Sequence, residues 1–448
     1  MTQSFEKFNL KDCHMLEEKL KKLDLDVPVS KDVSVLKKEI KLGNKVLKNS
    51  MAIHPMEGCD ANSDGSPSDT VYRRYERLAK GGCGLLWIEA CAVSIEGKAN
   101  PSQLHINEDN AGKFKKFVEF VRKQAEGELY LVLQLTHSGR YAKPGDDLPA
   151  VIACRNEHLD RFLPKNVKVI TDDELCELED LFTKSAKLAY ECGFDAIDIK
   201  SCHGYLSNEL LSAYNREGIY GGSFENRTRF LFNIVEKIKK NVPINISVRL
   251  NSYDEIPYPD GFGAKKEDFR TPDLTEAKEI IKHLNEKGVK LVNITGGNPY
   301  YNPHVNRPYD IGLYLPPVHQ LNYVYKLLNA SREIKRYVPD VKVVATGLTW
   351  LRDLGANVAA GCINENWFDI AGFGRQAFAY PNFANDIKKS GMMYRDKCCI
   401  TCGKCTIMMR DKGIAGCPIK DSAFYMPYYK AGRQDKPSPE TTNIGESL

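Results

Sequence analysis

From residue 35 onward, short runs rich in Val, Ile and Leu alternate with amphipathic stretches of helical period. That alternation is the pattern of parallel strands covered by helices. The apolar runs predict eight strands, at residues 50–54, 84–89, 129–135, 196–199, 244–250, 291–294, 341–345 and 368–371. Helical periodicity fills the intervals at 68–80, 111–125, 173–191, 224–241, 274–287 and 317–336. In 224–241, Phe230, Ile234 and Ile238 share one face, while Glu236, Lys237, Lys239 and Lys240 face water. Eight such units over about 350 residues predict an α/β chain folded as a (β/α)8 TIM barrel with long loops, in preference to an open doubly wound sheet.

The flanks read differently. Residues 1–34 place Leu16, Leu20 and Leu23 at helical spacing among many charges, so a helical extension packed on the barrel is expected there. Residues 35–390 are assigned to the barrel and 391–448 to a small C-terminal segment. Its last stretch, 432–448, is rich in Pro, Ser, Thr and charge and reads as a mobile tail or a partner-wrapping arm.

Composition sharpens this picture by exclusion. A chain of 448 residues, 42% hydrophobic and 27% charged, suffices for one large barrel with additions. Basic and acidic residues nearly balance, 63 against 59 for a net charge of +4, and no long Lys/Arg block suggests a nucleic-acid groove. No apolar run approaches the roughly 20 residues of a membrane helix, and the start lacks a signal peptide's apolar stretch. A cytoplasmic location is expected, with homo-oligomerisation left open.

The 14 cysteines depart from that bland composition. Nine are scattered from Cys13 to Cys362 and read as small buried hydrophobes. The other five are Cys398, Cys399, Cys402, Cys405 and Cys417. Cys399, Cys402 and Cys405 stand at CxxCxxC spacing, and Cys417 follows after eleven intervening residues with Pro418 directly after it. Three close thiolates plus a remote Cys-Pro is the ligand logic of a [4Fe-4S] cluster. Cys398 in place of Cys399 is an alternative first ligand, and a four-cysteine zinc site is the alternative occupant.

In a TIM barrel, chemistry collects where strands end. The first predicted strand runs into His54-Pro55-Met56-Glu57-Gly58, the second into Glu89-Ala90, and the third carries Gln134 ahead of Thr136-His137-Ser138. Lys200-Ser201-Cys202-His203-Gly204-Tyr205 follows the fourth, and Arg249 ends the fifth. Gly347 after the seventh strand, with Gly374 and Arg375 after the eighth, could let backbone amides cradle a phosphate. His203 and Tyr205 share one loop, offering an imidazole donor and a phenol able to protonate a carbanion, or else a packed loop tip. Gln134 and Arg249 suit a flavin ring, which wants an amide that donates and accepts and a cation near N1; buried polar groups between strands are the plainer reading.

Taken together, these segments resemble the Old Yellow Enzyme family of FMN-dependent oxidoreductases, the NADH:flavin oxidoreductase/NADH oxidase type. More narrowly, the chain resembles the iron-sulfur branch that includes 2,4-dienoyl-CoA reductase, enoate reductases and trimethylamine dehydrogenase. The resemblance runs from about Leu36 to Pro418 and is carried by IKLGNKVLKNSMAIHPMEG, GCGLLWIEACAVSIEGKANPSQL, LVLQLTHSGRYAKPG, GFDAIDIKSCHGYLSNELLSAYNREGIYGGSFENRTRF and CITCGKC. It implies FMN along Pro55, Met56 and Glu57, with Ala90 near the ring, Gln134 on the pyrimidine and Arg249 facing N1 and O2. Gly347, Gly374 and Arg375 would hold the phosphate end. His203 would polarise a substrate carbonyl and Tyr205 would protonate the alpha carbon, while flavin N5 delivers hydride to an activated C=C bond.

Three departures qualify the resemblance. Lys200 stands where many members place His or Asn, and could bind an anionic substrate or turn into an ion pair. The cysteine motif is one residue tighter between its second and third members than the family pattern, and the loop 212–220 is slightly shorter. Only about 30 residues follow Cys417, too few for the FAD and nicotinamide domains of iron-sulfur relatives. The expected electron source is therefore a separate protein, such as a ferredoxin, flavodoxin or reductase subunit, or else NAD(P)H. Two other functions stay open. One is an amine dehydrogenase or demethylase exporting electrons, with Tyr300, Tyr301 and Tyr309 as aromatic cage candidates. The other is a non-catalytic, zinc-stabilised binding subunit.

Overall fold

The chain is described here by a computed structural model covering residues 5–145, 148–436 and 439. Eight parallel strands close into a barrel: β1 (Met51–Ile53), β2 (Leu85–Ala92), β3 (Tyr130–Thr136), β4 (Ala196–Ser201), β5 (Asn245–Asn251), β6 (Leu291–Thr295), β7 (Lys342–Ala345) and β8 (Ile370–Phe373). Each strand pairs with its neighbours in chain order and β8 returns to β1. The predicted TIM barrel is thus present, with every strand within a few residues of its expected position.

Helices enclose the barrel: α1 (Cys13–Lys22) ahead of β1, then α2 (Asp69–Ala79), α3 (Ala111–Gln124), α4 (Asp172–Glu191), α5 (Phe224–Asn241), α6 (Thr275–Glu286), α7 (Gln320–Tyr337) and α8 (Leu354–Asn364) between strands. Their starts follow local chemistry. Ser68 caps α2 by accepting from the Val71 amide, and Thr171 and Glu174 form a reciprocal capping box at α4. Leu16 and Leu20 of α1 are buried in the main core, so the N-terminal extension is a packed helix.

The barrel floor is an apolar plug of Ala52, Leu85, Trp87, Tyr130, Val132 and their neighbours. An antiparallel hairpin, Ile40–Leu42 with Lys45–Leu47, closes it from below through Leu42 and Leu47. The sequence pattern does not reveal this hairpin, because each of its three-residue strands buries a single leucine, and no apolar run marks them as it marks β1. A second small pairing, Ala150–Ile152 with Val167–Val169, lies in the β3–α4 connection.

Beyond β8, α9 (Phe383–Ser390) leads to the cysteine loop, followed by α10 (Lys404–Arg410) and α11 (Ser422–Arg433). This segment is pinned to the barrel by charge. Arg73 of α2 makes a two-pronged contact with Asp421 at 2.9 and 3.0 Å, Arg77 joins the same carboxylate, and the Arg73 guanidinium lies 4.0 Å from the Phe424 ring centroid. Of the stretch expected to form a tail, 432–433 end α11, and 437–438 and 440–448 lie outside the described residues. Among the described residues, no helix is long and apolar enough to cross a membrane.

Candidate active site

Side chains along a strand alternate between faces, so one register decides which residues enter the barrel. On β4, Ile197 and Ile199 point to the covering helices, leaving Asp198 and Lys200 inside. On β5, Val248 and Leu250 point out, leaving Ser247 and Arg249 inside. Gln134 pairs in register with Asp198, Asp198 with Ser247, and Lys200 with Arg249. Above the apolar floor lies a polar layer in which Asp198 accepts from Gln134 Nε2 at 2.7 Å and from Ser247 Oγ at 2.9 Å. Burial pushes the Asp198 carboxyl up.

One step nearer the mouth, Lys200 and Arg249 lie side by side, both buried. Neither makes an ion pair with a carboxylate among the described residues, and Arg249 Nε has no hydrogen-bond partner. The Lys200 ammonium instead sits 3.4 Å from the centroid of the Tyr205 ring. Burial, reinforced by Arg249 and opposed by Glu57, brings Lys200 down to about 8. Glu57 and Asp198 offset part of the cost of burying these two cations without pairing directly with either, and an anionic group completing the site would offset more. This orphaned Arg249 fits the pyrimidine edge of a flavin, which gathers negative charge on reduction.

The β4 loop delivers the acid–base candidates. His203 (φ +66°) and Gly204 (φ +72°) adopt consecutive left-handed conformations, an uncommon posture for a histidine. His203 Nε2 accepts from Asn306 Nδ2 at 2.9 Å, which leaves its proton on Nδ1. Burial, followed by Arg249 and Lys200, drives its pKa far below the ordinary histidine value, so the imidazole is neutral. Tyr205 is buried, and its hydroxyl lies 3.1 Å from that of Tyr300. Tyr300 stacks on Tyr141 at 3.8 Å between centroids, and Asn298 donates to the Tyr141 hydroxyl at 2.7 Å. Burial raises the Tyr205 pKa, keeping the phenol protonated.

Around this centre the loop after β1 is held from behind. Gly58 N–H donates to Glu89 at 2.5 Å, and Glu89 is paired through Arg74 to Asp60. The β2–β3 register shifts between Ile88 and Cys91, a bulge that places Glu89 and Ala90 at the mouth. Pro55 is buried, Met56 is partly buried, and the partly buried Glu57 carboxylate accepts from Asn100 at 3.2 Å. Gly347 takes φ +114°, a conformation reserved for glycine, and a Cβ at Gly374 would stand 3.1 Å from Met56 Sδ. Gly347 packs on Leu327 and Gly374 on Met56, and each stands directly ahead of a short helix. The Arg375 guanidinium turns away to the Pro308 carbonyl at 2.8 Å and into the cysteine loop.

Cys399, Cys402, Cys405 and Cys417 line one cavity together with Arg375. Cys398 does not line it; its thiol is buried 3.4 Å from the Tyr394 carbonyl. Backbone amides of Thr401 and Lys420 donate to the sulfurs of Cys399 and Cys417 at 3.4 Å each, contacts that favour thiolates. Burial leads the rise of the Cys399 thiol to about 12 and also raises Cys417. No group of three or more His, Cys, Asp or Glu among the described residues is arranged around a single ion. What the four cysteines share is the lining of one cavity.

Sequence reading did not name Tyr141 or Asn306, and named Tyr300 only as a cage candidate. Tyr141 and Tyr300 meet only through the fold, and Asn306 comes from a short helix, Pro303–Asn306, that carries no motif. Of the aromatic cage candidates, Tyr300 joins the site, whereas Tyr309 donates to the Tyr314 carbonyl at 2.9 Å. Asp198 could have been found from the polar-apolar alternation of β4.

Known proteins resemble this chain in sequence and in fold. The chain is 28% identical to the NADH oxidase of Thermoanaerobacter brockii over 377 residues, which cover 81% of this chain and 52% of that protein. It therefore spans about half the length of that relative. It is also 28% identical to the NADPH dehydrogenase of Clostridium acetobutylicum over 348 residues, covering 76% of this chain and 90% of the other. A structure of 2-naphthoyl-CoA reductase with 2-naphthoyl-CoA shares the fold at a TM-score of 0.72 and 21% identity, covering 90% of this chain and 58% of that one. Residues 36–307, more than half of the chain, match a single family description, and with it the resemblance to Old Yellow Enzyme resolves: the chain belongs to the NADH:flavin oxidoreductase / NADH oxidase family.

Proposed function

We propose that this chain is an FMN-dependent ene-reductase that receives single electrons through a [4Fe-4S] cluster held by Cys399, Cys402, Cys405 and Cys417. The observation that carries the reading is the Lys200–Arg249 pair, two buried cations in no direct ion pair with a carboxylate among the described residues, beneath a protonated Tyr205. Bound FMN would supply hydride to an activated C=C bond, and the cluster would supply electrons one at a time. Gln134 and Arg249 would hold the ring, with Pro55, Met56, Glu57 and Ala90 along its edges. Gly347, Gly374 and the Arg375 amide would take the phosphate end.

The chain's own groups do the rest. His203 presents Nδ1–H to a carbonyl, steadied by Asn306, so enolate charge is stabilised as it develops. Tyr205 holds the proton for the alpha carbon, and Tyr300, 43% exposed, links that hydroxyl toward solvent for reprotonation. Lys200 disfavours a cationic amine in the same pocket and favours a substrate that carries a carboxylate. One electron donor class consistent with the cysteine loop is a ferredoxin, flavodoxin or separate reductase subunit.

Composition is the direct test. Anaerobically purified protein is expected to release one FMN and to contain about four irons and four sulfides per chain. Zinc without flavin would overturn the reading and favour a binding subunit.

The Lys200 role has its own signature. Binding of an unreactive carboxylate analogue should weaken as pH rises through about 8, where the free site's lysine loses its proton. The expected slope above that point is about tenfold per pH unit, one proton being linked to binding. Lys200→Met should weaken binding below pH 8 and flatten the profile. A profile that stays steep in the variant would remove Lys200 from substrate binding.

A further inference from the structure

The most exposed large hydrophobic side chains among the described residues are Leu313, at 77%, and Leu315, at 73%. They lie in one loop, Ile311-Gly312-Leu313-Tyr314-Leu315, with Ile311 also 54% exposed. Isolated surface leucines need no explanation, but several in five consecutive residues form an apolar projection. The loop is also anchored. Tyr314 accepts from Tyr309 through its carbonyl at 2.9 Å and pairs with His304 Nδ1 at 2.5 Å through its hydroxyl. A loop fixed in this way with its leucines outward has less ordering left to do on association.

Its position gives it meaning. The amide of Asp310 donates to the Thr401 side chain at 3.1 Å, and that of Ile311 reaches the Thr401 carbonyl at 3.5 Å. Thr401 lies between Cys399 and Cys402 and lines the cysteine cavity, so the start of this loop adjoins that cavity. The flanking chain is basic: residues 395–420 contain six Lys or Arg against two Asp. Arg410 and Lys412 are exposed and make no ion pair with any described residue. Arg410 and Arg375 also press on Arg307, which burial first, then these neighbours, lower to about 10.

We propose that the 311–315 loop, together with Arg410 and Lys412 at the end of the helix that follows the cysteine motif, is the docking surface for an acidic one-electron carrier protein that delivers electrons to the cysteine-bound cluster. The proposal rests on the cluster reading above for the electron transfer, though not for the docking itself. An apolar centre with a cationic margin is the complement of a carrier whose own redox centre is ringed by Asp and Glu. In the encounter, one electron leaves the reduced carrier and one is gained by the cluster. Two such transfers account for the two electrons of each double-bond reduction.

The test uses the full chain, with a purified acidic ferredoxin and a flavodoxin as probes. Binding of each oxidised carrier is measured alongside stopped-flow reduction by its reduced form, at low and high salt, with dithionite as a small-molecule reductant. Leu313→Glu with Leu315→Glu, and separately Arg410→Glu with Lys412→Glu, should each weaken carrier binding and slow carrier-driven reduction at least about tenfold. The charge variant should also flatten the salt dependence, while dithionite reduction stays unchanged. Carrier binding lost in the variants of a chain without iron would sustain the docking site and overturn the relay. Variants that bind carriers like the wild type, or a wild type that binds neither carrier, would overturn the docking proposal. A wild-type dimer dissolved by the leucine substitutions would overturn it in favour of a second copy of this chain.

Discussion

Replacing Tyr205 by Phe is expected to slow double-bond reduction by roughly 10²–10⁴, the range for a lost general acid, while reduction of the bound flavin proceeds at its normal rate. The split follows from what the hydroxyl touches. Its partner among the described side chains is the Tyr300 hydroxyl, 3.1 Å away, and the Lys200 ammonium contacts the ring, not the oxygen. Phe keeps the ring, its contact with Lys200 and the packing with Tyr141 and Tyr300, so the pocket should hold its shape. The proton alone is lost. A stopped-flow comparison of the two half-reactions checks this, because a merely structural tyrosine would impair both or neither. Equal rates in both half-reactions for variant and wild type would take Tyr205 out of the proton-donor role.

How far the sequence led depends on the range over which each feature is encoded. The eight barrel strands were legible because each covers several residues of one polarity pattern. The β4 run Ala196-Ile197-Asp198-Ile199-Lys200 even encodes which residues face inward. Short-range chemistry was legible too: four cysteines of the motif do share one cavity, and the structure separates Cys399 from Cys398 by the direction of adjacent side chains. Direction is what the sequence withholds. Arg375 was read for its amide beside a phosphate, yet its guanidinium reaches Pro308 and the cysteine loop. The Tyr141–Tyr300 stack joins loops after β3 and β6, and no local period can announce such a meeting.

The Asp60–Arg74–Glu89 cluster is the most consequential of these long-range meetings, and Arg74→Met is expected to destabilise the chain by about 3–5 kcal/mol, the scale for breaking a buried pair. Arg74 is buried and donates to both oxygens of Asp60, at 2.6 and 2.8 Å, and to Glu89 at 2.5 Å. Methionine would fill much of the volume but leave two carboxyls in a dry interior. Glu89 already sits at about 7, pushed up by burial against the pull of Arg74, so removing the guanidinium should raise it further. A carboxyl whose folded pKa exceeds its unfolded value binds more protons when folded, so stability declines as pH rises toward the folded pKa. The wild type should therefore lose some stability between about pH 4.5 and 7 on this account, and the variant should lose more and continue to higher pH. Urea midpoints at pH 5.5 and pH 8 would measure it. Adding Asp60→Asn and Glu89→Gln to the variant should restore much of the loss at pH 8, because neutral amides remove the stranded charge. The effect should reach the active site as well, since Glu89 holds the Gly58 amide and with it the loop carrying Met56 and Glu57. Weaker flavin retention in Arg74→Met, recovered in part by the triple variant, would tie that loop's position to the buried charge. Unchanged midpoints at both pH values would mean that the cluster contributes no net stability.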